Sequence, residues 1–130
     1  MSIHRFKVKV YYEDTDAAGV VYYANYLRYM ERARTEFLLE KGIDVAEHHN
    51  GGILFAVLRV EIDYKKPARL GVIIEVVTEV TETSRVTISL RQDIFKDDKL
   101  LVEGAVRLAC IDGNGKPRRL PEEFSALSSE

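Results

Sequence analysis

Hydrophobic and polar residues alternate in several separate stretches of this chain, and in only one stretch do they recur at the spacing of a helix. Phe6, Val8, Val10 and Tyr12 are interleaved with Lys7, Lys9 and Tyr11, which predicts a half-buried strand over residues 4–13. Further on, Leu58, Val60, Ile62 and Tyr64 alternate with Arg59, Glu61, Asp63 and Lys65. Pro67, which has no N–H for a ladder, ends that run. Residues 72–81 (VIIEVVTEVT) are β-branched and largely apolar, as in a buried strand. Over residues 86–95, Val86, Ile88, Leu90 and Ile94 alternate with Thr87, Ser89, Arg91 and Asp93. A last strand is predicted over 100–111, entered through the turn Lys96-Asp97-Asp98-Lys99 and stopped by Asp112-Gly113-Asn114-Gly115.

The helix is predicted from Ala24 to Lys41. Tyr26, Met30, Ala33 and Phe37 recur there every three or four residues, flanked by Leu27 and Leu38. Arg32 and Glu36 lie one turn apart on the outer side as a modest ion pair, and Gly42 suits the left-handed residue that ends a helix. The order is strand, one long helix, then four strands, so the fold class is α+β: one helix lying on a five-stranded, mostly antiparallel sheet. No linker or internal repeat divides the chain, and residues 1–130 read as a single domain with a frayed tail over 125–130. One helix cannot cover both faces of such a sheet. Val77, Leu101, Ala105 and Ala109 fall on the outward phase, so an apolar patch and self-association are expected.

Composition removes several function classes. With 19 basic and 21 acidic residues the net charge is −2, which gives no electrostatic case for nucleic acid or an anionic membrane. No apolar run approaches a membrane span, and Met1-Ser2-Ile3-His4-Arg5 does not read as a secretory signal, so a cytoplasmic location is expected. Cys110 is the only cysteine, which excludes an intrachain disulfide and a thiolate zinc site; its inward phase makes it a small core residue. His48 and His49 are adjacent and cannot easily converge on one ion, so they read as a polar loop, and neither a metal nor a cofactor is predicted. There is no GxSxG elbow and no glycine-rich phosphate loop.

The remaining chemistry concentrates at DTDAAGVVYYAN, residues 14–25, between the first strand and the helix. Asp14 and Asp16 read either as a solvated turn, one of them capping the helix, or as a functional pair. The surroundings favour function. Gly19 permits close backbone approach, and Val20, Val21, Tyr22 and Tyr23 are too apolar for a plain loop tip. The helix N-terminus that follows offers unpaired N–H groups and partial positive charge to a developing oxyanion. A carboxylate facing that point can act as base or nucleophile toward an acyl carbon.

The run Val10-Tyr11-Tyr12-Glu13-Asp14-Thr15-Asp16, then Gly19-Val20-Val21-Tyr22, Asn25-Tyr26-Leu27 and Glu31-Arg32-Ala33-Arg34, closely resembles the 4-hydroxybenzoyl-CoA thioesterase family, and within it the YbgC-type acyl-CoA thioesterases. The likeness continues through Tyr64-Lys65-Lys66-Pro67-Ala68-Arg69-Leu70 to Arg119-Leu120-Pro121 and so covers nearly the whole chain. It implies the hot-dog fold, a long helix wrapped by an antiparallel sheet. It also implies homo-oligomers, dimers whose sheets run into one another or tetramers of these, with active sites at subunit interfaces. The implied reaction is hydrolysis of an acyl-CoA, or of an acyl carrier protein thioester, without a cofactor. By this resemblance Asp16 is the catalytic acid, and the Tyr23 backbone N–H polarises the thioester carbonyl. Glu31 matches a helix acid that contacts substrate, although an ordinary helix ion pair with Arg34 explains it equally. Lys65, Lys66 and Arg69 are either contacts for the phosphates of coenzyme A or simply solubilising charges. Many YbgC-type members carry histidine where this chain has Tyr23, which bears on rate and pH dependence but leaves the backbone N–H in place. A hot-dog dehydratase or hydratase is disfavoured because no histidine lies near the acid, and a non-catalytic acyl-CoA-binding module because Asp16 is retained.

Overall fold

The computed structural model describes residues 3–127. Its elements run β1 (His4–Lys9), α1 (Asn25–Glu40), α2 (Val45–Asn50), β2 (Leu54–Tyr64), β3 (Ile73–Thr83), β4 (Thr87–Lys96) and β5 (Lys99–Ile111). Short 3-10 turns lie at Tyr12–Asp14 and Glu122–Ala126. All strand pairs are antiparallel, in the order β1-β3-β4-β5-β2, and α1 lies on the sheet against β1 and β3. This is the α+β architecture that the patterning predicted, and the hot-dog arrangement that the resemblance implied. Among the described residues no helix is long and apolar enough to cross a membrane.

The apolar stripe of α1 is the spine of the core. Tyr26, Met30, Ala33 and Phe37 are all buried, each worth up to about 1.5–3 kcal/mol where the side chain is large. Tyr26, Tyr29, Met30 and Ala33 pack with Ile74, Val76, Ile94 and Val102; Phe37, Leu38 and Ile43 pack with Ile88, Leu90, Leu108 and Cys110. Gly42, at φ 83°, ends the helix as expected.

Across this spine runs a polar bridge that hydropathy does not reveal. Gln92 is fully buried, and its Nε2 donates to the Met30 carbonyl (2.8 Å) and to Thr78 Oγ1 (3.0 Å). The buried Arg34 donates from Nη1 to Gln92 Oε1 (3.3 Å). Burial lowers the Arg34 pKa from the ordinary arginine value, with Glu31 opposing the shift. Gly104 on β5 makes the close approach of α1 possible, because a Cβ there would stand 2.6 Å from the Gln92 carbonyl oxygen and 2.7 Å from Met30 Cε.

Several expectations change. Strand β1 stops at Lys9, and Tyr12, placed inward by alternation, is 83% exposed on the 3-10 turn. His48 and His49 lie on α2 rather than a loop; the Asp44 carboxylate caps that helix by accepting the Ala46 and Glu47 N–H groups. The expected Arg32–Glu36 pair is absent from the ion pairs of the described residues, whereas Arg34 approaches Glu31 at 3.7 Å. Leu101 and Ala109 are buried, not outward. Both ends of β5 are flanked by returning backbone: Lys65 and Lys66 N–H bond the Leu101 carbonyl, and Arg118 N–H bonds that of Cys110. The exposed apolar surface lies instead on β2, at Val57, Leu58, Val60 and Tyr64, with Leu27 of α1 also exposed. A bulge between Val57 and Arg59 and the position of β2 at the sheet edge break the alternation read there. Of the tail expected to fray from residue 125, Ser125 and Ala126 belong to the second 3-10 turn and Leu127 is buried; residues 128–130 lie outside the described residues.

Gly104→Ala should destabilise the fold by about 1–3 kcal/mol, because one of the two clashing atoms is backbone and cannot swing away. Equilibrium unfolding in urea measures it, and a variant as stable as the parent would refute the packing argument.

Candidate active site

Asp14 anchors the corner between β1 and α1. It is buried, with Oδ2 accepting the Tyr11 N–H (2.9 Å) and Oδ1 accepting the Asn25 Nδ2–H (3.1 Å), while its carbonyl accepts the Tyr22 N–H (2.9 Å). One residue thus ties the end of the first strand segment to the first residue of α1. Two residues on, the chain makes a tight turn. Asp16 N–H donates to the Val20 carbonyl (2.9 Å), Gly19 N–H donates to the Asp16 carbonyl (3.0 Å), and Gly19 takes φ 77°, which a residue with a Cβ rarely adopts. Asp16 Oδ1 accepts the Ala18 N–H (2.9 Å), and the side chain is exposed at the surface of the turn.

Residues 65–70 clamp this corner from the other side. Val21 N–H donates to the Ala68 carbonyl (2.8 Å), Leu70 N–H donates to the Gly19 carbonyl (3.0 Å), and Val20 bridges Arg69. Between the two segments lies a cavity of about 280 Å³ lined by Asp16, Val20, Val21, Tyr23, Tyr26, Tyr64, Lys65, Lys66 and Pro67. Its wall is aromatic. Tyr23 meets Tyr64 edge-on at 6.5 Å, and Tyr64 tilts against Tyr26 at 5.6 Å. Tyr64 Oη donates to the Tyr23 carbonyl (3.0 Å) and Tyr26 Oη accepts the Ala68 N–H (3.2 Å). Burial raises the Tyr26 phenol above its ordinary pKa; the Ala68 N–H opposes this, and the Tyr64 phenol and the Asp16 charge add to it. Tyr64 is raised by burial first and by Tyr23 second.

The Tyr23 N–H has no acceptor among the described residues and sits two residues before the first turn of α1, where the helix contributes partial positive charge. A carboxylate residue and a residue with an unpaired N–H just before a helix thus line one cavity together with tyrosines, valines and two lysines. That combination suits an electrophilic carbonyl carried by a partly apolar, partly anionic molecule.

Of the residues singled out from sequence, Asp16, Tyr23, Lys65 and Lys66 line this one cavity, whereas Glu31 and Arg69 do not. Glu31 borders a separate apolar cavity of about 210 Å³ between α1 and β2, with Leu27, Met30, Val57 and Val60. Lys65 Nζ is engaged by Glu103 Oε1 at 3.2 Å. Asp14, weighed with Asp16 as a functional pair, turns out to be the anchor of the corner, and the walls Tyr26 and Tyr64 were not singled out from sequence as site residues. The available signal was the hydroxyl itself, since a tyrosine on an inward phase needs a partner that phenylalanine does not. A larger cavity, about 660 Å³, lies at the other end of β3 and β4, around Ser84, Arg85, Arg119 and Glu122. It offers the cations Arg85 and Arg119 but is lined by neither Asp16 nor the start of α1.

Comparison with known proteins points the same way. The model of the family described as "Thioesterase-like superfamily" matches residues 10–127. The acyl-CoA thioesterase YbgC of Haemophilus influenzae is 40% identical over 125 residues, covering 93% of this chain and 90% of that protein. The acyl-CoA thioester hydrolase YbgC of Escherichia coli is 38% identical over 127 residues, covering 96% and 95%. Among solved structures, a DHNA-CoA thioesterase from Staphylococcus aureus superposes with a TM-score of 0.94 at 28% identity, over 99% of this chain and 93% of that one.

The geometry separates the roles of the two acids in stability. Asp14→Ala leaves the Tyr11 N–H and the Asn25 amide without their acceptor and should cost about 1–3 kcal/mol. Asp16→Asn, at an exposed turn, should stay within about 0.5 kcal/mol of the parent. Thermal or denaturant unfolding of the two variants side by side checks this; equal losses would contradict the anchor.

Proposed function

The chain belongs to the thioesterase-like superfamily and is a thioester hydrolase of the YbgC type, and on that premise we propose how its corner cavity cleaves an acyl-CoA to free acid and coenzyme A. The thioester carbonyl oxygen lies against the Tyr23 N–H at the start of α1, where donor and helix dipole stabilise the charge that develops on it. Asp16 acts on the carbonyl carbon across the cavity. As a nucleophile it forms a mixed anhydride, expels the coenzyme A thiolate and is released by water; as a general base it takes a proton from a water that attacks directly. The acyl group rests on Tyr23, Tyr26 and Tyr64. Lys66, which pairs with no carboxylate among the described residues, is a better placed contact for the coenzyme's phosphates than Lys65, which Glu103 already engages. The observation that supports this reading is that Asp16 and Tyr23, whose N–H has no acceptor among the described residues, line one cavity at the helix start.

We further propose that the working unit is a homo-oligomer paired along β2. Both β1 and β2 are sheet edges. β1 is short and carries Arg5, Lys7 and Lys9, charges that discourage pairing, whereas the longer β2 exposes Val57, Leu58 and Val60. Antiparallel pairing about a two-fold axis runs the Tyr64 end of one β2 beside the Leu54 end of the other. The second copy's Arg85 and Arg119 then come toward the side of the Asp16 cavity, where an anionic coenzyme needs cations.

Asp16→Asn should lower turnover of an acyl-CoA by about 10²-fold or more while substrate binding persists, and Tyr23→Phe, which keeps the amide, should retain most activity. Free thiol release measures both; near-parental hydrolysis by Asp16→Asn would overturn the assignment. Size-exclusion chromatography with light scattering should give a dimer or tetramer, with Val57→Asp shifting the population toward monomer and reducing turnover. A parent that is monomeric at micromolar concentration and still active would contradict the shared site.

A further inference from the structure

Tyr26 lies on the core face of α1, only 3% exposed, in a place where phenylalanine would satisfy packing. Its hydroxyl accepts the Ala68 N–H at 3.2 Å, which occupies a lone pair but not the phenolic proton. Buried hydroxyl protons almost always find an acceptor, yet no hydrogen bond among the described residues uses this one. The ring is fixed, edge-on to Tyr29 at 6.2 Å on one side and tilted against Tyr64 at 5.6 Å on the other. Ala68 is fixed too, since its carbonyl accepts the Val21 N–H. The phenolic oxygen is therefore held from two elements, in the wall of the Asp16 cavity.

Within that lining the only carboxylate is Asp16; the other titratable groups are Tyr23, Tyr64, Lys65 and Lys66, with Tyr29 behind on the core side. Asp16 uses Oδ1 for the Ala18 N–H, and Oδ2 carries no hydrogen bond among the described residues. Its side chain is short and exposed, so rotation about a single bond re-aims it. Active-site hydrogen bonds that are long in the free protein often tighten around bound substrate.

Resting on the thioesterase reading above, we propose that Tyr26 is a positioning residue for the reaction, its O–H donating to the Asp16 carboxylate in the substrate complex. That bond fixes which oxygen faces the thioester carbon and favours the ionised form of the acid. Burial and the neighbouring Tyr64 and Asp16 keep the phenol protonated beyond its ordinary range, so the donor is present at every working pH.

The test is the pH dependence of kcat, which reports groups in the substrate complex, for one good acyl-CoA substrate with thiol release as readout. Tyr26→Phe should lower kcat roughly 10-fold with little change in KM, and should move the acid limb of the profile to higher pH, because a donor to a carboxylate favours its charged form. Loss of the Ala68 contact alone lowers stability and leaves the profile where it is. Incorporation of 3-fluorotyrosine at position 26 keeps the ring and the hydroxyl but strengthens the donor, so it should move the acid limb to lower pH. It also carries the test if the phenylalanine variant fails to fold. A profile unmoved by either change overturns the proposal. If Asp16→Asn abolishes turnover while these profiles stay put, only the role of Tyr26 falls; if Asp16→Asn keeps full rate, the reading of the site falls with it.

Discussion

A single buried carboxylate sets the relation between the first strand and the long helix. Asp14 is 8% exposed, and its two oxygens take one donor from the strand side and one from the first residue of α1. A buried carboxylate is tolerable only when its hydrogen bonds are made, so the corner has few other conformations available at comparable free energy. Everything chemical follows from that restriction. The turn of Asp16, the positive φ at Gly19 and the free N–H of Tyr23 are all suspended between Asp14 and the helix start, within a dozen residues of chain. The acid with the buried hydrogen bonds shapes the corner, and the acid left exposed is the one available to react.

The far side of the cavity is built by long-range contacts of the same kind. Tyr64 from the end of β2 and Ala68 beyond Pro67 bond to Tyr23 and Tyr26, which are separated from them by 41 and 42 positions. The aromatic wall is therefore also the clasp between helix and loop. Deeper in, Gln92 joins α1 to β3 and β4, with Gly104 making room, so the helix is set on the sheet by polar contacts as well as by apolar packing. Such a network specifies one seating of the helix where hydrophobic burial alone would accept several. A misplaced α1 would move the unpaired Tyr23 N–H with it.

The outer edge of the molecule carries the complementary demand. A row of exposed apolar side chains on an eleven-residue strand that is paired on one side only is costly to leave in water and open to a second copy. The cavity of Glu31, between α1 and that same strand, opens where such a partner would sit. The Asp16 cavity and the exposed apolar edge meet at Tyr64, the last residue of β2 and a wall of that cavity.

Local periodicity was sufficient for the elements. Two-residue alternation located the five strands, three-to-four spacing located α1 within a residue at each end, and the short motif around Asp16 and Gly19 marked the corner. These signals are legible because each depends on neighbours a few positions away. Phase along the strands was not carried so reliably. Alternation gives the residues that share a face but not what later covers it, so Leu101 and Ala109 were assigned outward and are buried near the two ends of β5, which returning backbone flanks. Nor did the pattern reveal α2, whose six residues are too few to show a helical period. The Tyr26–Ala68, Arg34–Gln92 and Gln92–Met30 bonds span 42 to 62 positions and were likewise beyond reach. A side chain's type states that it needs a hydrogen bond; only the folded chain decides with whom, because the choice is made by strands and helix brought together from opposite ends of the sequence.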